Sequence, residues 1–178
     1  ICDDNFFSYK DLFKDIIKFK FLANKKSLVF IISENNYECI AAYSGVFYFD
    51  STVLLLDQTI HRENLEDLLK RFKPSYIFQK TNRGNLNDWE IVIEIGSYCL
   101  FETGYTKDYS LNKDLALLLP TSGTTGSPRC VRLSYQNIYS NTKAICNYLN
   151  ISSRDKVITT LPMSYSYGLS IINTHLFS

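Results

Sequence analysis

Short, wholly apolar runs alternate along this chain with stretches whose apolar positions recur every three or four residues. Residues 28–32 (LVFII), 53–56 (VLLL) and 115–119 (LALLL) are apolar throughout. That pattern predicts strands covered on both faces. Ser8-x-x-Asp11 has the form of a helix start with Ser8 as the cap. Leu12, Phe13, Ile16 and Ile17 follow as an apolar stripe at helical spacing. Residues 36–49 predict a second, largely buried helix. Residues 61–72 predict an amphipathic helix, with Leu65, Leu68, Leu69 and Phe72 at i, i+3, i+4 and i+7. Pro74 ends it, because the residue before a proline avoids the helical region. Residues 76–78, 91–95 and 98–101 predict further short strands, and the polar segment 81–88 with Gly84 predicts a loop. Trp89, alone after that loop, reads as a packing anchor.

Strands taking turns with helices predict an α/β fold, a layered and mainly parallel β-sheet with helices on both faces. The 178 residues suffice for one domain with a real core. Within it, residues 1–110 read as an alternating α/β subdomain and residues 111–178 as a segment built around one unusual loop. No repeat or low-complexity tract is visible.

Composition narrows the classes. Hydrophobic residues make up 46% and charged residues 21%, as in a soluble globular chain. A formal net charge of +1 gives no electrostatic motive for nucleic acid or an anionic membrane as partner. The basic cluster Lys70, Arg71 and Lys73 falls at a predicted helix end, where cations complement the helix dipole. Five cysteines without a C-x-x-C pair, and only two histidines, predict no metal site. An odd cysteine count without a signal peptide points to reduced thiols in the cytoplasm. No membrane span is expected. Residues 39–49 are too few, and Pro162, Gly168 and many hydroxyls interrupt residues 157–178. The one methionine, Met163, is internal, and the chain stops inside an apolar, predicted helical stretch. The expectation is a piece of a longer chain.

The segment with chemistry is Pro120-Thr121-Ser122-Gly123-Thr124-Thr125-Gly126-Ser127-Pro128-Arg129. Gly123 and Gly126 lack Cβ, so the backbone can approach a ligand closely. Successive N–H groups in such a loop converge into an anion-binding concavity. Ser122, Thr124 and Thr125 add hydroxyl donors, and Arg129 adds a permanent cation whose forked donors match phosphate oxygens. The Walker phosphate loop is excluded: only two residues separate Gly123 and Gly126, and no lysine follows. Residues 130–133 predict a strand instead, making a strand–loop–strand hairpin. Ser134 then caps a helix whose apolar positions are Ile138, Thr142, Ile145 and Leu149. On composition alone, a Ser/Thr/Gly turn that binds nothing explains the loop equally well.

The order of the residues adds to this. Leu118-x-x-Thr-Ser-Gly-Thr-Thr-Gly-x-Pro-Arg resembles the phosphate-loop motif of the adenylate-forming (AMP-binding) superfamily. Asp114 before the strand and Val131-Arg132-Leu133-Ser134 after the loop resemble its flanking sequence. Leu161-Pro162-Met163-Ser164-Tyr165-Ser166-Tyr167-Gly168-Leu169 is similar to the family's next motif, Leu-Pro-x-x-His-x-x-Gly, at the expected distance. The front half fits as well, including Glu34-Asn35-Asn36 after the first strand, so the resemblance covers nearly the whole chain.

The resemblance implies part of the large N-terminal domain of an acyl-CoA synthetase-like ligase. Such a ligase activates a small-molecule carboxylic acid with ATP and Mg²⁺ as acyl-AMP. It then passes the acyl group to a thiol, coenzyme A or a carrier pantetheine. By the same resemblance Thr121, Ser122, Gly123, Thr124, Thr125, Gly126 and Arg129 would bind the ATP phosphates, with Arg129 catalytic. Tyr165, Ser166 and Gly168 would line the acid pocket. Three departures stand out. Arg129 replaces the more frequent Lys, keeping charge and changing geometry. Cys130 replaces Gly; it is either a small strand residue or a thiol whose pKa Arg129 and Arg132 lower. Tyr165 replaces His, as an aromatic wall or a phenolic donor, and any acid–base role of that His loses its group. His175 reads as a packed or capped histidine. The family's aromatic-Gly-x-Thr-Glu block, its ribose-binding Asp and its C-terminal domain with the adenylation Lys have no counterpart here, so the isolated chain is expected to be inactive. Two alternatives remain open at this level: an adenylation module loading a carrier protein, and a non-catalytic nucleotide-binding relative.

Overall fold

A computed structural model describes residues 6–83, 89–106, 109–121 and 129–178. The first helix, α1 (Tyr9–Ile17), begins where the capping pattern places it: Asp11 N–H donates to Ser8 Oγ, and Ser8 N–H donates to the Asp11 carboxylate. Strand β1 (Leu28–Ser33) leads through Asn36 into α2 (Tyr37–Tyr48). Asn36 Oδ1 accepts from Cys39 N–H at 3.0 Å and so caps α2. Then come β2 (Thr52–Asp57), α3 (Arg62–Phe72), β3 (Tyr76–Lys80) and a hairpin of β4 (Glu90–Ile95) and β5 (Tyr98–Glu102). The chain continues through β6 (Leu115–Pro120), β7 (Cys130–Ser134), α4 (Tyr135–Leu149) and α5 (Ser166–Phe177). Before Pro74, Lys73 takes a left-handed conformation (φ 43°) and closes α3 through its N–H to Leu69 O.

Among the described residues the strands form one seven-stranded sheet in the order β4-β5-β3-β1-β2-β6-β7. The inner four, β3, β1, β2 and β6, run parallel. The outer strands β5, β4 and β7 are antiparallel to their neighbours. The inner strands are buried on both faces, which is why their sequences are continuous apolar runs. Successive residues of one strand serve different cores. Val29, Ile31, Val53, Leu55, Leu117 and Leu119 face α2, α4 and α5. Leu28, Phe30, Ile32, Leu54, Leu56 and Leu118 face Leu65, Leu68 and Leu69 of α3. Trp89 is half-buried against the second core, edge-on to Tyr105 at 6.3 Å.

Two stripes differ from the sequence expectation. On α1 no residue is fully buried: Leu12 packs against the core, but Phe13 is 52% exposed. The helix lies on α2 rather than on the sheet, with Phe13 edge-on to Tyr48, so half its stripe has nothing beneath it. On α4 the buried positions are Ile138, Thr142 and Cys146, while Leu149 is 58% exposed. The inward face follows i, i+4, i+8; Leu149 falls on that face in angle but is the last residue of the helix.

Candidate functional site

The parallel strands β1, β2 and β6 all end at one edge of the sheet, the edge where open α/β sheets bind ligands. Both sequence motifs are found there. Strands β6 and β7 pair antiparallel from Leu115↔Ser134 to Pro120↔Cys130. Beyond that last pair, Thr121 N–H donates to Arg129 O at 2.8 Å, and Thr121 Oγ donates to the same oxygen at 3.1 Å. The expected hairpin therefore exists, closed at Thr121 and Arg129, with both residues exposed at its mouth. Ser122, Gly123, Thr124, Thr125 and Gly126 lie outside the described residues.

The mouth suits a polyphosphate in that the Arg129 guanidinium, a permanent cation, projects from an exposed position beside the strand end. The Thr121 hydroxyl hydrogen is engaged by Arg129 O, so here the side chain seals the loop's base. Cys130 is half-buried. Burial pushes its thiol pKa up, and Arg71 pulls weakly the other way. Of the two readings open at this position, the place of Cys130 at the start of β7 and its raised pKa favour the strand residue over a thiol activated by Arg129 and Arg132.

The second motif begins as an irregular segment before α5. Met163 is fully buried in the first core. Tyr165 N–H donates to Pro162 O at 3.0 Å and starts the helix, leaving the Tyr165 ring 59% exposed. The glycine of the motif has a steric reason. A Cβ on Gly168 would lie 2.3 Å from Pro162 O and 2.5 Å from Leu161 O, so only glycine lets the first turn of α5 approach that backbone. His175 Nδ1 lies 2.9 Å from Ile171 O within α5, in keeping with a capped histidine.

Side chains at the ends of β1 and β2 hold this segment. Asn35 Nδ2 donates to Leu161 O at 2.7 Å, and Asn35 Oδ1 accepts from Met163 N–H at 2.8 Å. Ser164 Oγ donates to Asp57 Oδ2 at 3.3 Å, while Thr59 N–H and Oγ donate to Asp57 Oδ1. Burial alone would raise the Asp57 pKa, but the bonds from Thr59 and Ser164 outweigh it and hold the carboxyl below its ordinary value. Sequence reading noted Asn35 only as part of a matching stretch and did not single out Asp57. The sole signal was position, a polar residue at or just beyond the end of each buried strand.

Between β6, α4 and α5 lies a cleft of about 410 Å³. Leu117 and Leu119 form its floor, and Asn137, Asn141, Ser166 and Asn173 supply polar groups. Ser166 thus lines a cavity beside the strand that leads into the loop. Tyr165 and Gly168 flank it without lining it. Among the described residues no group of three His, Cys, Asp or Glu side chains is placed to hold a metal ion, and no helix is long and apolar enough to cross a membrane.

Comparison with known proteins agrees with this geometry. The family model described as AMP-binding enzyme matches residues 3–178. The acyl-CoA ligase sidI of Aspergillus fumigatus is 26% identical over 165 residues, covering 84% of this chain and 28% of the relative. A 2-succinylbenzoate–CoA ligase of Bacillus anthracis is 27% identical over 157 residues, covering 84% of this chain and 31% of the relative. The hybrid PKS-NRPS synthetase pvhA of Talaromyces variabilis is 24% identical over 145 residues, covering 78% of this chain and 4% of the relative. The chain therefore spans less than a third of these relatives. Among solved structures, O-succinylbenzoate coenzyme A synthetase (MenE) from Bacillus subtilis with AMP superposes with a TM-score of 0.70 at 19% identity, over 98% of this chain and 48% of that one. ATP-bound MatB from Rhodopseudomonas palustris gives 0.72 at 18% identity, over 99% of this chain and 42% of that one. At such identities these two speak for the fold.

Proposed function

The chain belongs to the AMP-binding enzyme family, and we propose that it supplies the phosphate-gripping hairpin and part of the acid pocket of an ATP-dependent acid–thiol ligase. The observation that carries this reading is the β6–β7 hairpin. The motif loop is held between two paired strands at the ligand-binding edge of the sheet, with Arg129 at its mouth. The residues 121–129 are proposed to grip the β- and γ-phosphates, as backbone N–H groups, hydroxyls and one guanidinium are suited to do. Bound there, ATP with Mg²⁺ would supply an electrophilic α-phosphorus and a pyrophosphate leaving group. The task of this chain's residues is to hold that tail still. A carboxylate oxygen then bonds to the α-phosphorus, the bond to the bridging oxygen breaks, and its electron pair leaves with pyrophosphate. Hydrogen bonds to charged groups are worth about 1.5–3 kcal/mol each, so three or four would fix the tail. No residue of this chain is assigned to the metal.

Supporting the ligase reading are the names of the relatives, which are coenzyme A ligases of carboxylic acids. Coenzyme A is accordingly the proposed acceptor. Similarity to a hybrid PKS-NRPS synthetase favours a second reading, in which the acyl group is loaded onto a carrier pantetheine. The proposed location is the cytoplasm, where reduced thiols such as Cys39, Cys99, Cys130 and Cys146, free among the described residues, persist.

The test is ATP–pyrophosphate exchange by the intact protein across a panel of carboxylic acids, with coenzyme A and a pantetheinylated carrier as competing acceptors. Exchange stimulated by one acid, cut about a hundredfold by Arg129→Ala, is the expected result. An Arg129→Ala protein exchanging at the wild-type rate refutes the role of Arg129. No exchange with any acid, in a folded protein that still binds ATP, replaces the ligase reading with a non-catalytic one.

A further inference from the structure

The Leu161–Leu169 segment has no sheet partner of its own, yet it carries the proposed acid-pocket residues. From the geometry we infer that Asn35 is a positioning residue for acid recognition, fastening this segment to the end of β1; the inference rests on the ligase reading above. One side-chain amide meets two backbone groups of the segment in complementary sense. Its N–H₂ donates to Leu161 O at 2.7 Å, and its oxygen accepts Met163 N–H at 2.8 Å. The same N–H₂ also reaches Thr159 Oγ at 3.3 Å. A planar amide answering both a carbonyl and an N–H fixes the path of the backbone at residues 161–163 as well as its distance from the sheet.

What is fixed there is passed on. Pro162 O, between the two clasped groups, accepts Tyr165 N–H and thereby starts α5. The carbonyls of Leu161 and Pro162 are also the surface against which Gly168 packs. The clasp therefore sets where α5 begins, and with it where Ser166 stands on the wall of the cleft beside β6. Asp57 supplies a second fastening on the next strand through Ser164 Oγ. Asn35 itself is exposed and contributes nothing to either core, so its replacement tests position rather than folding.

The experiment uses the intact protein with Asn35→Ala and Asn35→Asp. Asn35→Ala is expected to raise KM for the acid about tenfold with KM for ATP unchanged. It also speeds hydrogen exchange at the Met163 amide. In Asn35→Asp a carboxylate oxygen still accepts that N–H, so Met163 stays protected while the bond to Leu161 O is lost, and acid KM falls between wild type and Asn35→Ala. Wild-type acid KM and wild-type Met163 protection in Asn35→Ala overturn the inference. So does an equal rise of both KM values together with a lowered melting temperature, which marks a general structural role. A wild-type protein that exchanges no acid refutes the ligase reading, and with it any part for Asn35 in acid recognition. The Met163 amide then reports only whether the clasp exists.

Discussion

Replacing Gly168 by alanine tests the steric account of the second motif. Gly168 sits in the first turn of α5, where alanine is intrinsically better than glycine by about 1 kcal/mol. A stabilising change is therefore the default expectation for this substitution. The structure reverses it. The added methyl would stand 2.3 Å from Pro162 O, 2.5 Å from Leu161 O and 2.8 Å from Pro162 C, all of them backbone atoms. Ordinary contact begins near 3.4 Å, so either α5 or the residues 161–162 must retreat by about 1 Å, and the latter are held by Asn35. Overpacking of this kind costs about 1–3 kcal/mol. Against the propensity gain of about 1 kcal/mol, the net is a loss of up to about 2 kcal/mol, or up to about 8 °C in Tm for a domain of this size. Urea denaturation followed by circular dichroism measures it, with Ser170→Ala on the same helix as the control. A Gly168→Ala protein more stable than wild type by the full propensity gain of about 1 kcal/mol refutes the reasoning, because the segment would then have room that the structure denies it. In the intact protein the same displacement should cost adenylation about a hundredfold, since misplacements near 1 Å have effects of that order.

The helix-start carboxylate of Asp11 accepts from the Ser8 hydroxyl and amide, with Lys14 adding to their effect, and its pKa is lowered to about 2. A lowered folded-state pKa means stability present above the unfolded value and lost as pH falls. The stability gap between wild type and Asp11→Ala should therefore hold at pH 6 and close between about pH 4 and pH 2; a gap independent of pH refutes the capping box. Burial raises the Cys130 pKa, so its alkylation by iodoacetamide, followed by peptide mass spectrometry, should keep accelerating with pH beyond the ordinary thiol range. A rate that levels off below about pH 8 marks an activated thiolate and refutes the buried-residue reading.

The parallel core of the fold was plain in the sequence because its strands are buried on both faces. Nothing but apolar residues suits 28–32, 53–56 and 115–119, and each became an inner strand. Cap signals worked at Ser8 and Ser134, whose hydroxyls each accept from an N–H of the first helical turn. The pattern says less where one face is left open. The α1 stripe lies on a helix as its spacing predicts, but the spacing does not say what covers it: the helix rests on α2 and leaves Phe13 half in solvent. For α4, a spacing of three or four is satisfied equally by Cys146 and Ile145, and only the packing against α5, where Cys146 Sγ meets Thr174 O, selects Cys146. At the site, the hairpin was legible because a Gly-rich loop between two strand patterns has few other solutions. The clasp was not. Asn35 stands two positions beyond β1 and Asp57 is the last residue of β2, but they meet partners more than a hundred residues away, and no local pattern encodes that pairing.

That separation has a consequence for how the two motifs act together. The hairpin is tied to the sheet by the ladder of β6 with β2 and β7, so its mouth is fixed through backbone pairing. The second motif is tied to the same sheet by side chains at two strand ends, with Met163, Gly168 and Leu169 as buried supports. Backbone ladders resist substitution, whereas side-chain clasps can be retuned one residue at a time. A scaffold that must keep one grip constant while its second pocket varies is well served by this division. The phosphate-gripping side would stay rigid in the main chain, and the acid-facing side would be set by Asn35, Asp57 and the polar residues of α4 and α5.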